Sequence, residues 1–326
     1  MVLYAVDDIV DAGRATWRLL VPFELGTWLR FAVIAFFIGG VGATNAGPQF
    51  SGATPMPGEP AVGDLPVITE QVWLAILAAV GLVLALVLIL LFVGAVMEFV
   101  FVESLRTERP RIRAYSRRHW RQGFRLFQFR LALALLTIAA VTAVVAPVAF
   151  TAWSGGSDAV IAALLLALPV LAVFFVAVAV VNGFTTVFVV PIMLRRDCGV
   201  RAGWRALWRS VKTDWKQYLA YMVLGAVLSF VLGVLVTLAT VVVFVVLLLP
   251  FGLLFGVAAA VFLLFEPAGI AAFAVVGLLF GVALLVAVAL VNVPAQAYLR
   301  YYALFVLGDI DPAFDVVSDQ RAAVRE

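Results

Sequence analysis

The sequence predicts an all-α, polytopic membrane protein: about six transmembrane helices arranged as three hairpin repeats, each preceded by an amphipathic interfacial helix. Three observations carry this prediction. Hydrophobic residues make up 65% of the chain and charged residues 13%, with a mean hydropathy of +1.16, far from the charge content of a soluble protein of 326 residues. The apolar residues come in blocks long enough for the roughly 20 residues that a helix needs to cross a bilayer. The pattern Arg-x-x-Trp-Arg occurs three times, as RATWR (14–18), RRHWR (117–121) and RALWR (205–209). With 8 Trp in the whole chain, that recurrence points to internal repetition. Asp7, Asp8 and Asp11 precede any long apolar run, so no cleavable signal peptide is expected.

Apolar runs cover roughly 28–44, 71–102, 131–153, 159–194, 217–265 and 268–299. The stretch 45–70, rich in Pro and Gly, reads as an exposed loop between the first two runs, and SGGSD (154–158) as a tight turn between the third and fourth. The fifth run has no charge from Gln217 to Phe265. As one helix it would be about 73 Å long, more than twice a ~30 Å hydrocarbon core. A break is therefore expected at PFG (250–252), leaving 251–265 as a re-entrant or outer-leaflet segment.

Charge sets the expected orientation. Segment 106–130 holds nine Arg and segment 195–216 holds five Arg and two Lys, whereas the segments on the other side carry only acids: Glu59, Asp64, Glu70, Asp158 and Glu266. Lys and Arg accumulate on the cytoplasmic side of membrane proteins. Six spans with both termini in the cytoplasm place all 22 basic residues on that side, with a cytoplasmic C-terminal tail at 300–326.

Each Arg-x-x-Trp-Arg copy stands just before a pair of apolar runs. The implied units are approximately 3–102, 112–194 and 200–299 within one integral membrane domain, and the second and third copies match further at an offset of 88. Arg113, Arg117, Arg121 and Arg125 recur every four residues, as do Arg201, Arg205 and Arg209, which puts each set on one helical face. In the first unit Leu3, Val6, Val10, Gly13, Trp17 and Leu20 form an apolar face against Asp7, Asp11, Arg14 and Arg18. In the third, Val200, Trp204, Leu207, Val211 and Trp215 do the same. Such helices can lie in the interface with Arg toward headgroups and Trp17, Trp120 and Trp208 at the boundary depth. Each Arg near an anionic leaflet contributes about 1 kcal/mol. The plain expectation is that these helices fix topology and brace the hairpins. The sharper one is that Arg14, Trp17, Arg18, Arg113, Arg117, Trp120, Arg121, Arg125, Arg201, Arg205, Trp208 and Arg209 together meet anionic headgroups.

The strings VDDIVDAGRATWRLLVPFELGTWLRFAVIAFFIGG (6–40), VMEFVFVESLR (96–106), RLFQFRLAL (125–133) and YLRYYALFVLGDIDPAF (298–314) resemble a haloarchaeal family of multi-pass membrane proteins of unknown function. The resemblance covers nearly the whole chain and implies a polytopic protein of the cell membrane. It brings no catalytic or binding residues with it.

No enzyme is expected. His119 is the only His, and nothing near it in sequence completes a metal site or a nucleophile–base pair. It maps onto Leu207 in the repeat and reads as an interfacial side chain. Cys198 stands alone, GGVGATNAG (39–47) lacks the dinucleotide-loop spacing, and no Walker-type loop or His-Glu-x-x-His occurs. No cofactor or metal is expected, and no nucleic-acid partner, because the aromatics that interleave with the basic residues suit the bilayer interface better.

Polar residues at membrane depth form the second candidate site: Glu98, Asn182 and Asn292. Glu98 is expected to pair with Arg106 or another interfacial Arg, and the Asn residues to bond across helices. The function these features favour is that of a structural or interaction protein of the cytoplasmic membrane, whose partners are anionic lipid headgroups, a membrane protein or a second copy of itself. The alternative is a small-solute or lipid transporter with a pathway between the repeats.

Overall fold

In a computed structural model, residues 4–21, 23–41, 70–153 and 157–325 are described. The expected loop at 45–70 and turn at 154–158 fall largely outside them. Ten α-helices account for most of the described residues: α1 (Tyr4–Leu20), α2 (Leu25–Phe36), α3 (Glu70–Thr107), α4 (Ile112–Trp153), α5 (Ser157–Phe184), α6 (Val190–Arg196), α7 (Val200–Thr213), α8 (Trp215–Leu264), α9 (Glu266–Ile310) and α10 (Ser318–Arg325). A π-helical turn, Phe37–Val41, extends α2, and a second, Thr185–Val189, joins α5 to α6.

Five of these helices are long and apolar enough to cross a membrane: α3, α8, α9, most of α4, and the stretch Leu165–Arg196 that runs through α5 and α6. Leu25–Gly39 is a shorter apolar helix. Burial is strongly graded along them. α3 buries Gly94–Leu105 at its C-terminal end while Val72–Leu86 is exposed, and α9 buries residues from Ala289 to Gly308 while Ile270, Leu278 and Leu279 are exposed. The core therefore gathers at one end of the bundle, the Arg-rich end, and the outer halves present bare Leu, Val and Phe. Apolar surface on this scale is solvated by lipid, not water.

The core is built on α9. Two of its tyrosines bolt α1 in place: Tyr302 Oη donates to the Ala5 carbonyl (2.9 Å) and Tyr298 Oη to that of Ile9 (3.1 Å). Tyr301 Oη reaches the Leu105 carbonyl on α3 (3.0 Å). Small residues let α1 approach, with Ala5, Ala12 and Ala15 buried. This leaves Val6, Val10 and Trp17 facing outward, while Leu20 at the end of α1 is buried with the small residues. On α7 the reverse holds: Val200 and Leu207 are buried and pack into the protein core, not the acyl boundary.

Three expectations are corrected. α8 is unbroken from Trp215 to Leu264 with Pro250 inside it, so residues 251–264 continue the helix instead of forming a separate segment. A proline in a lipid-facing helix removes one donor, and the surrounding turns absorb the loss. The second Arg-x-x-Trp-Arg copy is not on a separate interfacial helix; it lies in the first turns of the continuous α4, whereas α1 and α7 are separate. Residues 300–325 do not form a tail set apart from the bundle. α9 runs to Ile310, Arg300 through Leu307 are buried, and Asp8, Asp11 and Asp309 ring the Arg325 guanidinium, which fastens α10 across α1 at 2.7–2.8 Å.

Candidate functional site

The most distinctive polar constellation is a buried Arg–Glu–Arg triad. Glu98 comes from α3, Arg130 from α4 and Arg300 from α9, and each is less than a tenth exposed. Arg130 Nη2 donates to Glu98 Oε1 at 3.0 Å and to Thr186 Oγ1 at 2.9 Å. Arg300 Nη2 donates to Glu98 Oε2, and its Nη1 to the Thr186 carbonyl at 2.6 Å. The carboxylate thus uses both oxygens, one for each guanidinium. The Arg300 guanidinium also lies over the Phe101 ring, 5.7 Å from its centroid.

Local structure explains why Thr186 can serve both arginines. It sits in the second π-helical turn, where the wider winding loosens the normal backbone ladder. Its carbonyl and hydroxyl are both turned to the triad. Next to it, Thr185 Oγ1 accepts from Trp204 Nε1 of α7 (3.0 Å) and donates to the Val181 carbonyl (2.6 Å).

Charge is unbalanced here. Arginine stays protonated in proteins, so one carboxylate faces two positive charges, and neither Arg pairs with a second carboxylate among the described residues. Nε and Nη1 of Arg130 are buried with no hydrogen-bond partner among them. Buried charges are normally paired because their desolvation is costly. The triad carries a surplus of one positive charge.

Beside the triad lies a cavity of about 690 Å³. Asn292, Gln296 and Arg300, each one turn from the next on α9, form a polar stripe down one wall, with Thr186 and Ser229 adding hydroxyls. Ile38 and Gly39 of the first π-helical turn and Thr186, Val187 and Phe188 of the second also line it. Gln296 Nε2 donates to the Ala35 carbonyl (3.3 Å), and a side chain at Gly39 would collide with that amide. Val180 on α5 and Met222, Ala226 and Ser229 on α8 are exposed at the rim. The cavity therefore opens sideways between α5 and α8.

Of the sequence-predicted polar residues, Glu98 lies at the centre of the triad. Its partners are Arg130 and Arg300, not Arg106, which instead approaches Glu103 at 3.7 Å. Asn292 lines the cavity and donates to the Val288 carbonyl of its own helix (2.8 Å). Asn182 is buried near the second π-helical turn and does not line the cavity. Arg130, Arg300 and Gln296 were not singled out by the sequence as site residues.

The cationic set behaves differently. Arg14, Arg18, Arg113, Arg117, Arg121, Arg125, Arg201, Arg205 and Arg209 are all exposed, as are Trp17 (70%), Trp120 (52%) and Trp208 (54%). They belong to the elements that surround the packed end. His119 is buried rather than interfacial: Nδ1–H donates to Gln122 Oε1 (2.9 Å), the ring stacks on Phe99, and Gln122 Nε2 donates to Asp197 Oδ1 (2.7 Å). Cys198, half-buried, has its thiol pushed up by burial, which disfavours the thiolate. No cluster of three metal-ligating side chains occurs among the described residues.

No curated protein and no solved structure matches the chain. One family model does, over residues 3–317, and the chain therefore belongs to DUF7544, a family of unknown function.

Proposed function

We propose that the protein is a membrane-embedded interaction protein that holds an Arg- and Trp-rich collar against the anionic headgroups of the inner leaflet. On this reading the chain has six spans in three hairpin repeats, both termini are cytoplasmic, and Leu25–Gly39 supplies the short first span of the cell-membrane protein. The observation that carries it is the outward exposure of Trp17, Trp120 and Trp208 beside exposed arginines, all at the end where the core is packed. Tryptophan prefers the headgroup boundary, and each exposed Arg there is drawn to anionic lipid by about 1 kcal/mol. The transporter alternative is favoured by one observation, the polar wall of the cavity. That wall runs from Arg300 to Asn292 only, and neither Asn182 nor residues 250–266 line it, so it supports a binding pocket better than a through-path.

The test is collisional quenching of tryptophan by brominated lipid in reconstituted full-length protein, read with single Trp→Phe variants at 17, 120 and 208. Quenching by shallow bromines from all three positions is the expected result. Quenching of any of the three by an aqueous quencher alone, or cysteine labelling that places two of them on opposite faces of the membrane, overturns the reading.

A further inference from the structure

We propose that the cavity between α5, α8 and α9 takes one anionic amphiphile, with its charged headgroup against Arg300 and Thr186 and its chain passing out between α5 and α8. This goes beyond the collar reading and rests on membrane embedding alone.

Three features converge on it. The first is electrostatic: the triad has two guanidiniums for one carboxylate, and Arg300 presents its side of that surplus directly to the cavity. A buried site with an excess positive charge is completed by an anion. The second is the gradient of the walls. Arg300 and Thr186 lie buried at the deep end, Gln296 and Asn292 are half-buried along the wall, and the rim is formed by Val180, Met222 and Ala226 with the single hydroxyl of Ser229. A ligand matching both must be charged at one end and apolar at the other. The third is access. The opening is flanked by Val173, Val176, Val223, Val227 and Phe230, which are exposed on the outward faces of α5 and α8. A free inorganic anion would have to cross this apolar margin, whereas a lipid would slide in laterally from the leaflet beside the Arg-rich end. The volume, about 690 Å³, lies within the usual range for small-molecule sites, roughly 300–1,000 Å³.

The small residues on the walls leave this room. A side chain built at Gly183 meets nothing within 4 Å, so it would project into open space. That makes Gly183→Phe a plug that leaves the triad untouched, complementary to Arg300→Gln, which removes the charge but leaves the space.

The experiment uses full-length protein in nanodiscs of neutral phosphatidylcholine with a minor fraction of phosphatidylglycerol. Lipid retained after detergent extraction is counted by native mass spectrometry. Wild type is expected to keep about one phosphatidylglycerol per chain in preference to phosphatidylcholine. Both R300Q and G183F should lower that retention by roughly tenfold or more, as expected for loss of a charge-assisted contact or of the space itself. A collar variant, R117Q/R121Q, should keep it. Should R300Q fail to fold, G183F and A226F decide, with melting curves confirming that the fold persists. No preference for the anionic lipid in wild type overturns the proposal. So does unchanged retention in G183F, or loss in the collar variant with retention in the cavity variants. Inorganic phosphate that displaces the lipid as well as phosphatidylglycerol itself would assign the site to a free anion and also overturn it.

Discussion

Replacing Glu98 by Gln removes the one negative charge of the triad while keeping its size. Glu98 is 1% exposed and both its oxygens are engaged, so no water-facing rotamer offers relief. At an effective dielectric of about 20, one opposite-charge contact at 4 Å is worth about 4 kcal/mol. Two such contacts are lost, and the guanidiniums of Arg130 and Arg300 then face each other across a neutral amide. Mutual repulsion of the two arginines and the desolvation of the carboxylate already offset part of the attraction in the wild type. The net cost should match that of breaking other buried ion pairs, about 3–5 kcal/mol. Equilibrium unfolding in mixed micelles of rising SDS fraction, followed by tryptophan fluorescence, measures it. The triple variant E98Q/R130Q/R300Q provides the internal control. It leaves no uncompensated charge, so it should lie closer to wild type than the three single losses added together. Stability of E98Q within about 1 kcal/mol of wild type, or a triple variant whose cost is simply additive, would refute the reasoning that Glu98 is the counter-charge of a buried pair of arginines.

Other expectations concern packing and the C-terminal fastening. Gly123 of α4 packs on α3 so closely that a Cβ would stand 2.9 Å from Val96 Cα, so Gly123→Ala should destabilise by about 1–3 kcal/mol in the same unfolding assay despite its gain in helix propensity. Asp8 is pushed up from 3.8 to about 7, first by burial and then by the Asp309 carboxylate, with Arg325 pulling the other way. Between those values the folded chain binds more protons than the unfolded one, so this residue's contribution to stability falls as pH rises from about 4 to about 7 and is level above that. Thermal unfolding of Asp8→Asn across this range should lack the corresponding decline. Arg325 is held protonated by its hydrogen bond to Asp309 and touches Asp8 and Asp11 as well. Since it is partly exposed and screened, Arg325→Ala should cost only about 1 kcal/mol, yet it should free α10 and speed proteolysis near residues 311–318.

The helical membrane class was plain from the sequence because long uncharged runs have few other uses, and Glu98 stood out as an acid inside one of them. Its partners were harder to see. Arg106 is close to Glu98 in sequence, but Arg130 and Arg300 reach it from two other helices, and a net count of positive charge says nothing about which arginine turns inward. One signal was present: the stripe Arg113, Arg117, Arg121, Arg125 calls for its next member at 129, which is Phe, while Arg130 falls outside the stripe. Arg300 similarly stands between apolar neighbours in YLRYYALF. The small face of α1 was also legible in principle, as Ala5, Ala12 and Ala15, but residue size drew attention to Val6, Val10 and Trp17 instead. The continuity of α8 through Pro250 was not legible, since the proline that ends a helix in water is accommodated in lipid.

That continuity sets a dimensional problem for the membrane. Measured outward from the triad, α3 extends 28 residues to Glu70, about 42 Å, whereas α8 extends 43 residues from Tyr221 to Leu264, about 65 Å. Even at a tilt of about 40°, the steepest usual for such helices, a ~30 Å hydrocarbon layer covers only about 39 Å of helix. The remaining length, tipped by Leu263, Leu264 and Phe265, is as apolar as the rest. Every added ångström of hydrocarbon shortens that surplus, so the α8–α9 pair gives the chain a thermodynamic preference for the thickest patches of whatever bilayer holds it, and a means of thickening the lipid around itself.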